Sequence, residues 1–346
     1  MSDDAAQHFA GESQSEREHW RSIVLFGRNV ASYKFALAKS LLELSETSDD
    51  LIKIEQLAIP FSRNICEHIA HVDRQGTFER SKFLDACRFY NAGQITEDEL
   101  RDATAIFGFN NVIDAFHVVG STDVPTRFFI DERSTGGGIR LTHSMFELAA
   151  SSSAADLALE TESRWRLVEE AWTGKAQGKQ VVVLYDAPRE LLVPALTGKR
   201  RPITAVRPAL NGYQKGHCFY CFTPISIINS DLPADVDHFL PHTLMSRGLP
   251  FHLDSPWNLV LACSTCNRGV GGKFASLPHD RYLERLHRRN EFLIGSNHPL
   301  RETLMITTGT AETARKNFLL KAMKLATSVA TDAKRWTATD EQEALF

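Results

Sequence analysis

A chain of 346 residues is long enough for roughly two domains. A hydrophobic share of 43% with 24% charged residues describes a globular protein that can bury real cores rather than a disordered one. The formal charge of −4 gives no global support to nucleic-acid binding, so basic character has to be sought locally. The opening MSDDAAQHFAGESQSEREHW is polar and acidic, without the basic and apolar regions of a secretory signal. No apolar run approaches the ~20 residues that span a bilayer. The expectation is a soluble, cytoplasmic protein with no membrane partner, whose cysteines serve as ligands, nucleophiles or core residues rather than as disulfides.

Taken in chain order, the first stretch lacks periodicity to about residue 20 and is expected to fray. ASYKFALAKSLLEL (Ala31–Leu44) is rich in helix formers and apolar on a broad face. In PFSRNICEHIAHV, Phe61, Ile65, Ile69 and Val72 recur at helical spacing, and Pro60 suits the first helical position. Thr96 and Glu99 form a capping box ahead of another helix. FFIDERSTGGGIRLT (Phe128–Thr142) reads as a hairpin whose glycines supply the turn. AASSSAAD is a predicted loop, LALETESRWRLVEEAW a helix and VVVLYD (Val181–Asp186) a strand. Cys66 and Cys87 stand alone in helical patterns and are expected as small buried hydrophobes. Residues 1–195 thus read as a mainly helical domain without a chemical motif.

Composition then shifts. From Leu191 to Ser230 there is no Asp or Glu, while Lys199, Arg200, Arg201, Arg207 and Lys215 fall there. Residues 196–212 are expected as a basic linker, either a solvated connector or an arm that tracks phosphate. Two CxxC pairs follow, Cys218 with Cys221 and Cys263 with Cys266. Four thiolates suit one tetrahedral Zn²⁺ with no open position, which makes the ion structural. Such an ion staples a region with little core of its own. Between the pairs lies DVDHFLPH (Asp235–His242), a strand that Pro241 ends. SPWNLVLAC precedes the second pair and CNRGVGGK includes and follows its last cysteine.

The order CxxC, DVDH, WNLVLACxxCN and Lys resembles the zinc-bearing HNH endonucleases of the ββα-metal (His-Me finger) superfamily. The resemblance covers Tyr213 to Lys273, and more loosely runs to about Leu300. The octet also looks like the first active-site strand of the HNH domains in CRISPR effector nucleases, and NRG looks like their metal-binding segment. The N-terminal domain resembles no family.

The resemblance implies that His238 is the general base that activates water. It implies that Asp237 and Asn267 hold a catalytic divalent ion, Mg²⁺ or Mn²⁺, and that Asn258 braces the loop between the strands. Many members carry His where this chain has Asn267, and an amide oxygen suits a hard cation better than imidazole does. Strand alternation sends Asp237 and His238 to opposite faces unless the strand bends there. Asp235 is expected on the exposed face, His242 as a polar loop residue and Trp257 packed beneath the site. In DRYLERLHRRNEFLI, Tyr282, Leu283, Leu286 and Phe292 form an apolar side. Arg281, Arg285, Arg288 and Arg289, with Arg268 and Lys273, form a basic cluster expected to contact the DNA backbone. A last helix is expected over about Ala311–Ala330.

The sequence therefore predicts an α+β protein. Its parts are a helical domain (1–195) for targeting, partner binding or regulation, a linker (196–212), an HNH nuclease domain (213–300) and a helical C-terminal segment (301–346). By analogy, prokaryotic anti-phage defence or restriction is the expected setting. The competing readings are a non-catalytic zinc module that binds nucleic acid or protein, and an RNA-directed nuclease.

Overall fold

The structure is a computed structural model and describes residues 9, 15–26, 29–46, 49–78, 80–195, 202–330 and 335–346. It is α+β, with many helices and several small antiparallel sheets, and it divides into two compact units, Met1–Gly178 and Lys179–Phe346. Among the described residues, no helix is long and apolar enough to cross a membrane.

Unit 1 runs α1 (Glu16–Leu25), α2 (Tyr33–Leu44), β1 (Leu51–Lys53), α3 (Ile54–His71), α4 (Lys82–Asn91) and α5 (Glu97–Phe107). It continues with α6 (Val112–Ala115), β2 (Val118–Val119), β3 (Thr122–Asp123), β4 (Phe129–Glu132), β5 (Gly138–Leu141), α7 (His143–Ala150) and α8 (Ala154–Ala176). Thr96 and Glu99 form the expected capping box on α5, with Thr96 N donating to the Glu99 carboxylate at 2.8 Å.

Several sequence expectations need correction. Residues 16–20 do not fray: they are helical, because Trp20 is buried against Phe128 and the neighbouring Arg21 makes a two-pronged, buried ion pair with Glu160. The helix through Pro60 starts at Ile54, so Pro60 lies inside it and gives up one backbone hydrogen bond there. The Gln56 side chain accepts from Lys53 N at 2.8 Å and fixes the earlier start. The Ser/Ala-rich loop shrinks to the few residues between Ala150 and Ala154. The β4–β5 hairpin forms as expected, but β1 adds to it as a third strand in the order β1-β5-β4.

The core of unit 1 is aromatic, with Phe35, Phe61, Phe83, Trp20 and Trp165 fully buried. His68 stacks on Trp165 at 3.4 Å, and its two ring nitrogens meet Glu169 at 2.7 Å and Glu162 at 3.2 Å. Cys66 and Cys87 are buried, as expected.

Unit 2 begins earlier than residue 195. β6 (Val183–Asp186) and β7 (Leu191–Pro194) belong to it and pair with each other, and β7 also pairs with β8 (Thr204–Ala205). The expected linker does not run through to residue 212. Lys199, Arg200 and Arg201 lie outside the described residues, but 206–212 form most of helix α9 (Val206–Gln214), anchored by buried Val206, Leu210 and Asn211. Arg207 pairs with Glu190 at 2.7 Å.

The chain continues through β9 (Ala234–His238), β10 (Leu259–Cys263), α10 (Ser264–Arg268), α11 (Asp280–Gly295), α12 (Arg301–Thr308) and α13 (Glu312–Val329). Residues 335–346 then cross back over the unit. Trp336 bonds Leu277 and His279 along the backbone, Gln342 N donates to Cys221 O, and Phe346 packs among Tyr213, Phe219 and Phe222.

The three-stranded sheet of unit 1 has one point of close approach. A Cβ at Gly138, in the central strand β5, would meet the carbonyl oxygen of Ile52 at 2.0 Å. Gly138→Ala is expected to push β1 away and cost about 1–3 kcal/mol, read as a lower midpoint in urea unfolding.

Candidate active site and metal centre

β9 and β10 form an antiparallel hairpin in which Ala234 opposes Cys263 and His238 opposes Leu259. Its two ends carry different chemistry, about 14 Å apart along the strand. At the Cys263 end, the Sγ atoms of Cys218, Cys221, Cys263 and Cys266 all lie within 4.8 Å of one another. Cys221 and Cys263 are 3.7 Å apart, and tetrahedral Zn–S bonds of ~2.3 Å require sulfurs ~3.8 Å apart.

Backbone N–H groups point at these sulfurs, Tyr220 N at Cys218 and Cys266 N at Cys263, both at 3.4 Å. Hydrogen bonds from the Cys218 thiol and its neighbours hold the Cys221 thiol far below the usual thiol range and bring Cys263 down to about 7. Burial pushes Cys218 up, and Cys266 rises because Cys218 and the other sulfurs crowd it. Four sulfurs packed this closely suit a cation shared among all four. The residues fit a metal such as Zn²⁺.

A buried glutamine holds the hairpin between its ends. Gln214, at the end of α9, donates to Leu261 O at 2.8 Å and accepts from Leu261 N at 2.9 Å, which pairs the outer edge of β10. At the His238 end, Asn258 is wholly buried. Its Oδ1 accepts from Leu240 N at 2.8 Å, and its Nδ2 donates to Leu240 O at 2.9 Å and Leu253 O at 3.0 Å. The side chain thus ties the exit of β9 to the loop that returns into β10. Trp257 packs beneath it, edge-on to Phe318 at 5.1 Å.

His238 ends β9 with 15% of its side chain exposed. Its Nε2 meets Asp254 Oδ1 at 2.9 Å, while Nδ1 has no hydrogen-bond partner among the described residues. Exposed His242 stands beside it, ring centroids 5.4 Å apart, and Tyr185 at 5.8 Å. The hydrogen bond with His238 holds the Asp254 carboxyl below its ordinary range against partial burial, helped by the charges of His238, His242 and His252.

Asp237 faces the other way. Its Oδ2 accepts from the Tyr220 hydroxyl at 2.6 Å and its Oδ1 from Lys273 Nζ at 3.0 Å. Lys273 is fully buried and also donates to His238 O at 2.9 Å and, weakly, to Phe274 O at 3.4 Å. Burial and the Asp237 charge hold the Tyr220 hydroxyl in its protonated form. Asn267 Nδ2 is turned to Asp235 Oδ2 at 3.3 Å. Asp237 and Asn267 therefore do not form an open cradle for a divalent ion: the charge of Asp237 is already matched by an ammonium, which repels a second cation. Asp235 is not exposed; it is buried under a two-pronged contact from Arg268 at 3.0 and 3.1 Å.

Half of the expected basic cluster is internal. Arg285 is buried, stacks on Phe222 at 4.2 Å and donates to the carbonyls of Phe219 and Tyr220 at 2.6 and 2.9 Å. Buried Arg289 donates to Pro256 O and Trp257 O, and burial brings its guanidinium down to about 10. Lys273 is the third interior member. Together these three brace the first CxxC turn, the turn before β10 and the exit of β9, and cannot reach a DNA backbone. Arg281 pairs with Glu341 at 2.6 Å, and within this cluster Arg288 alone is exposed with no ion pair among the described residues.

Sequence reasoning missed Asp254, Tyr220, Tyr185 and Gln214. Helical spacing could have warned of Arg285 and Arg289, which share a stripe with Tyr282, Leu286 and Leu293. Comparison of the chain with protein-family models, with curated proteins and with solved structures yields no match.

Two outcomes follow from this geometry. The purified protein is expected to carry a single zinc ion per chain by elemental analysis, and to lose it in the Cys221→Ser, Cys263→Ser double variant. Asn258→Ala strands one amide and two carbonyls, and is expected to cost about 2–4 kcal/mol in chemical unfolding. Asn258→Asp is expected to be no milder, because its carboxylate faces both carbonyls.

Proposed function

We propose that unit 2 is an HNH-type endonuclease that hydrolyses DNA phosphodiester bonds, with His238 as general base and a metal such as zinc held by the four cysteines as a structural ion. One observation carries this reading. A half-buried histidine closes a hairpin whose other end is a four-sulfur cluster, and the nitrogen it leaves unpartnered can take a proton from water. The hydroxide so formed attacks phosphorus, the bond to the 3′-oxygen breaks, and that oxygen leaves with a proton from solvent. Exposed His242, near His238, and His252, close enough to bear on the Asp254 charge, can meet the phosphate when protonated.

The resemblance also implies a catalytic Mg²⁺ or Mn²⁺ on Asp237 and Asn267. The Lys273 ammonium already matches Asp237, and Asn267 turns its amide N–H toward Asp235, so the two residues as placed do not fit that ion. The same engagement favours a second reading, a non-catalytic zinc module that binds nucleic acid. For unit 1, which the resemblance does not cover, the proposed role is targeting, partner binding or regulation.

The test is incubation of purified protein with plasmid DNA and Mg²⁺ or Mn²⁺, beside His238→Ala and a matched RNA. The wild type is expected to nick DNA, and the variant to be slower by about 10²-fold or more. Equal nicking by both proteins rejects His238 as the base. Binding without cleavage, under every divalent ion, favours the zinc module. Preference for RNA moves the substrate class.

A further inference from the structure

Asp254 lies outside the motif positions of the resemblance, yet among the described residues it is the one side chain hydrogen-bonded to the His238 ring. It is placed by an element separate from the hairpin. Tyr185 N, in β6, donates to Asp254 O at 2.8 Å. β6 is held in turn by its ladder with β7, and Val183 N donates to Thr303 Oγ1 at 3.0 Å. The sheet ahead of the CxxC pairs therefore fixes the backbone of Asp254, while Asn258 and the strand fix that of His238.

Exposed polar pairs contribute little, and this contact, an ion pair only while His238 is protonated, is only partly screened, with 15% of the His238 side chain and 29% of the Asp254 side chain exposed. What distinguishes it from a chance surface contact is that two independent backbone anchors converge on it. The charged and titratable groups near the pair are Tyr185, His242 and His252, with Asp186, Glu190 and Arg207 acting on Tyr185. Burial keeps the Tyr185 hydroxyl protonated, raised to about 12, so it adds no charge near neutral pH. The three histidines keep Asp254 ionised, and an ionised carboxylate only accepts.

We infer that Asp254 is a positioning residue: its carboxylate accepts the Nε2–H of His238 and so holds the imidazole in one orientation, with the Nδ1 lone pair turned to the water it activates. The β6–β7–β8 sheet thereby becomes part of the catalytic apparatus without touching substrate. The kinetic consequence rests on the nuclease reading; the geometric one does not.

The test uses the full-length protein as purified. Asp254→Ala is expected to lower kcat for plasmid nicking by about 10²-fold with KM unchanged, since the base is misplaced while DNA contacts remain. Asp254→Asn keeps an oxygen that accepts from Nε2–H and is expected to recover most of that loss. Proton NMR on ¹⁵N-histidine-labelled protein supplies a readout independent of cleavage. The wild type is expected to show a downfield, slowly exchanging imidazole N–H that His238→Gln removes and Asp254→Ala abolishes. If neither the wild type nor any variant cleaves DNA but that proton behaves as described, the positioning stands and the nuclease reading falls. If Asp254→Ala keeps the proton, or nicks at the wild-type rate, the positioning role is wrong.

Discussion

Four sulfur atoms gathered within 4.8 Å, from two turns far apart in sequence, are the constraint on which unit 2 depends. One turn leads away from α9 and the other ends β10, so joining them closes the loop that contains β9. A metal such as zinc shared by the four would remove the mutual repulsion of the thiolates and fix the loop ends. The register of β9 against β10 follows, because Ala234 opposes Cys263 itself. Once that register is set, His238 has only one place to stand. A slip by one residue would turn it to the opposite face of the hairpin.

Around this clamp, the unit buries several charges, among them Asp237, Lys273, Arg285 and Arg289, and gives each a partner. Lys273 answers Asp237, while Arg285 and Arg289 answer main-chain carbonyls at turns that have no ladder of their own. Removing one partner of such a pair leaves an uncompensated charge, which costs far more than the pair contributes when intact. These groups act as braces rather than as a substrate surface. They also explain how a region of short strands and turns keeps one arrangement. The crossing segment 335–346 adds to this, since Glu341 meets Arg285 and Arg281, and the Trp336 indole donates to Gly271 O beside the Lys273 turn.

The four-cysteine cluster and the strand that carries His238 were legible because their signals are local. CxxC spacing and the order DVDH, WNLVLAC, CN are read within a few residues of each other, and the glycines of the β4–β5 turn are equally local. Errors arose where a side chain's fate is decided by residues distant in sequence. Arg285 and Arg289 look like a solvated basic face until the carbonyls they reach are known. Asp237 looks like an open ligand until Lys273 and Tyr220 close on it. Asp254 carries no motif, and its relation to His238 depends on β6, far earlier in the chain. Pro60 misled for a different reason: a helix that packs well on one face can carry an internal proline at the loss of one bond.

The claim on which the account stands is that metal binding at the four cysteines fixes the hairpin that presents His238. Hydrogen exchange of the backbone amides, with and without a zinc chelator, tests it directly. Chelation is predicted to strip protection from the β9–β10 ladder, including Val236, Leu259 and Leu261, while leaving the β4–β5 hairpin of unit 1 protected. Unchanged protection of β9 and β10 after the metal is gone would contradict it.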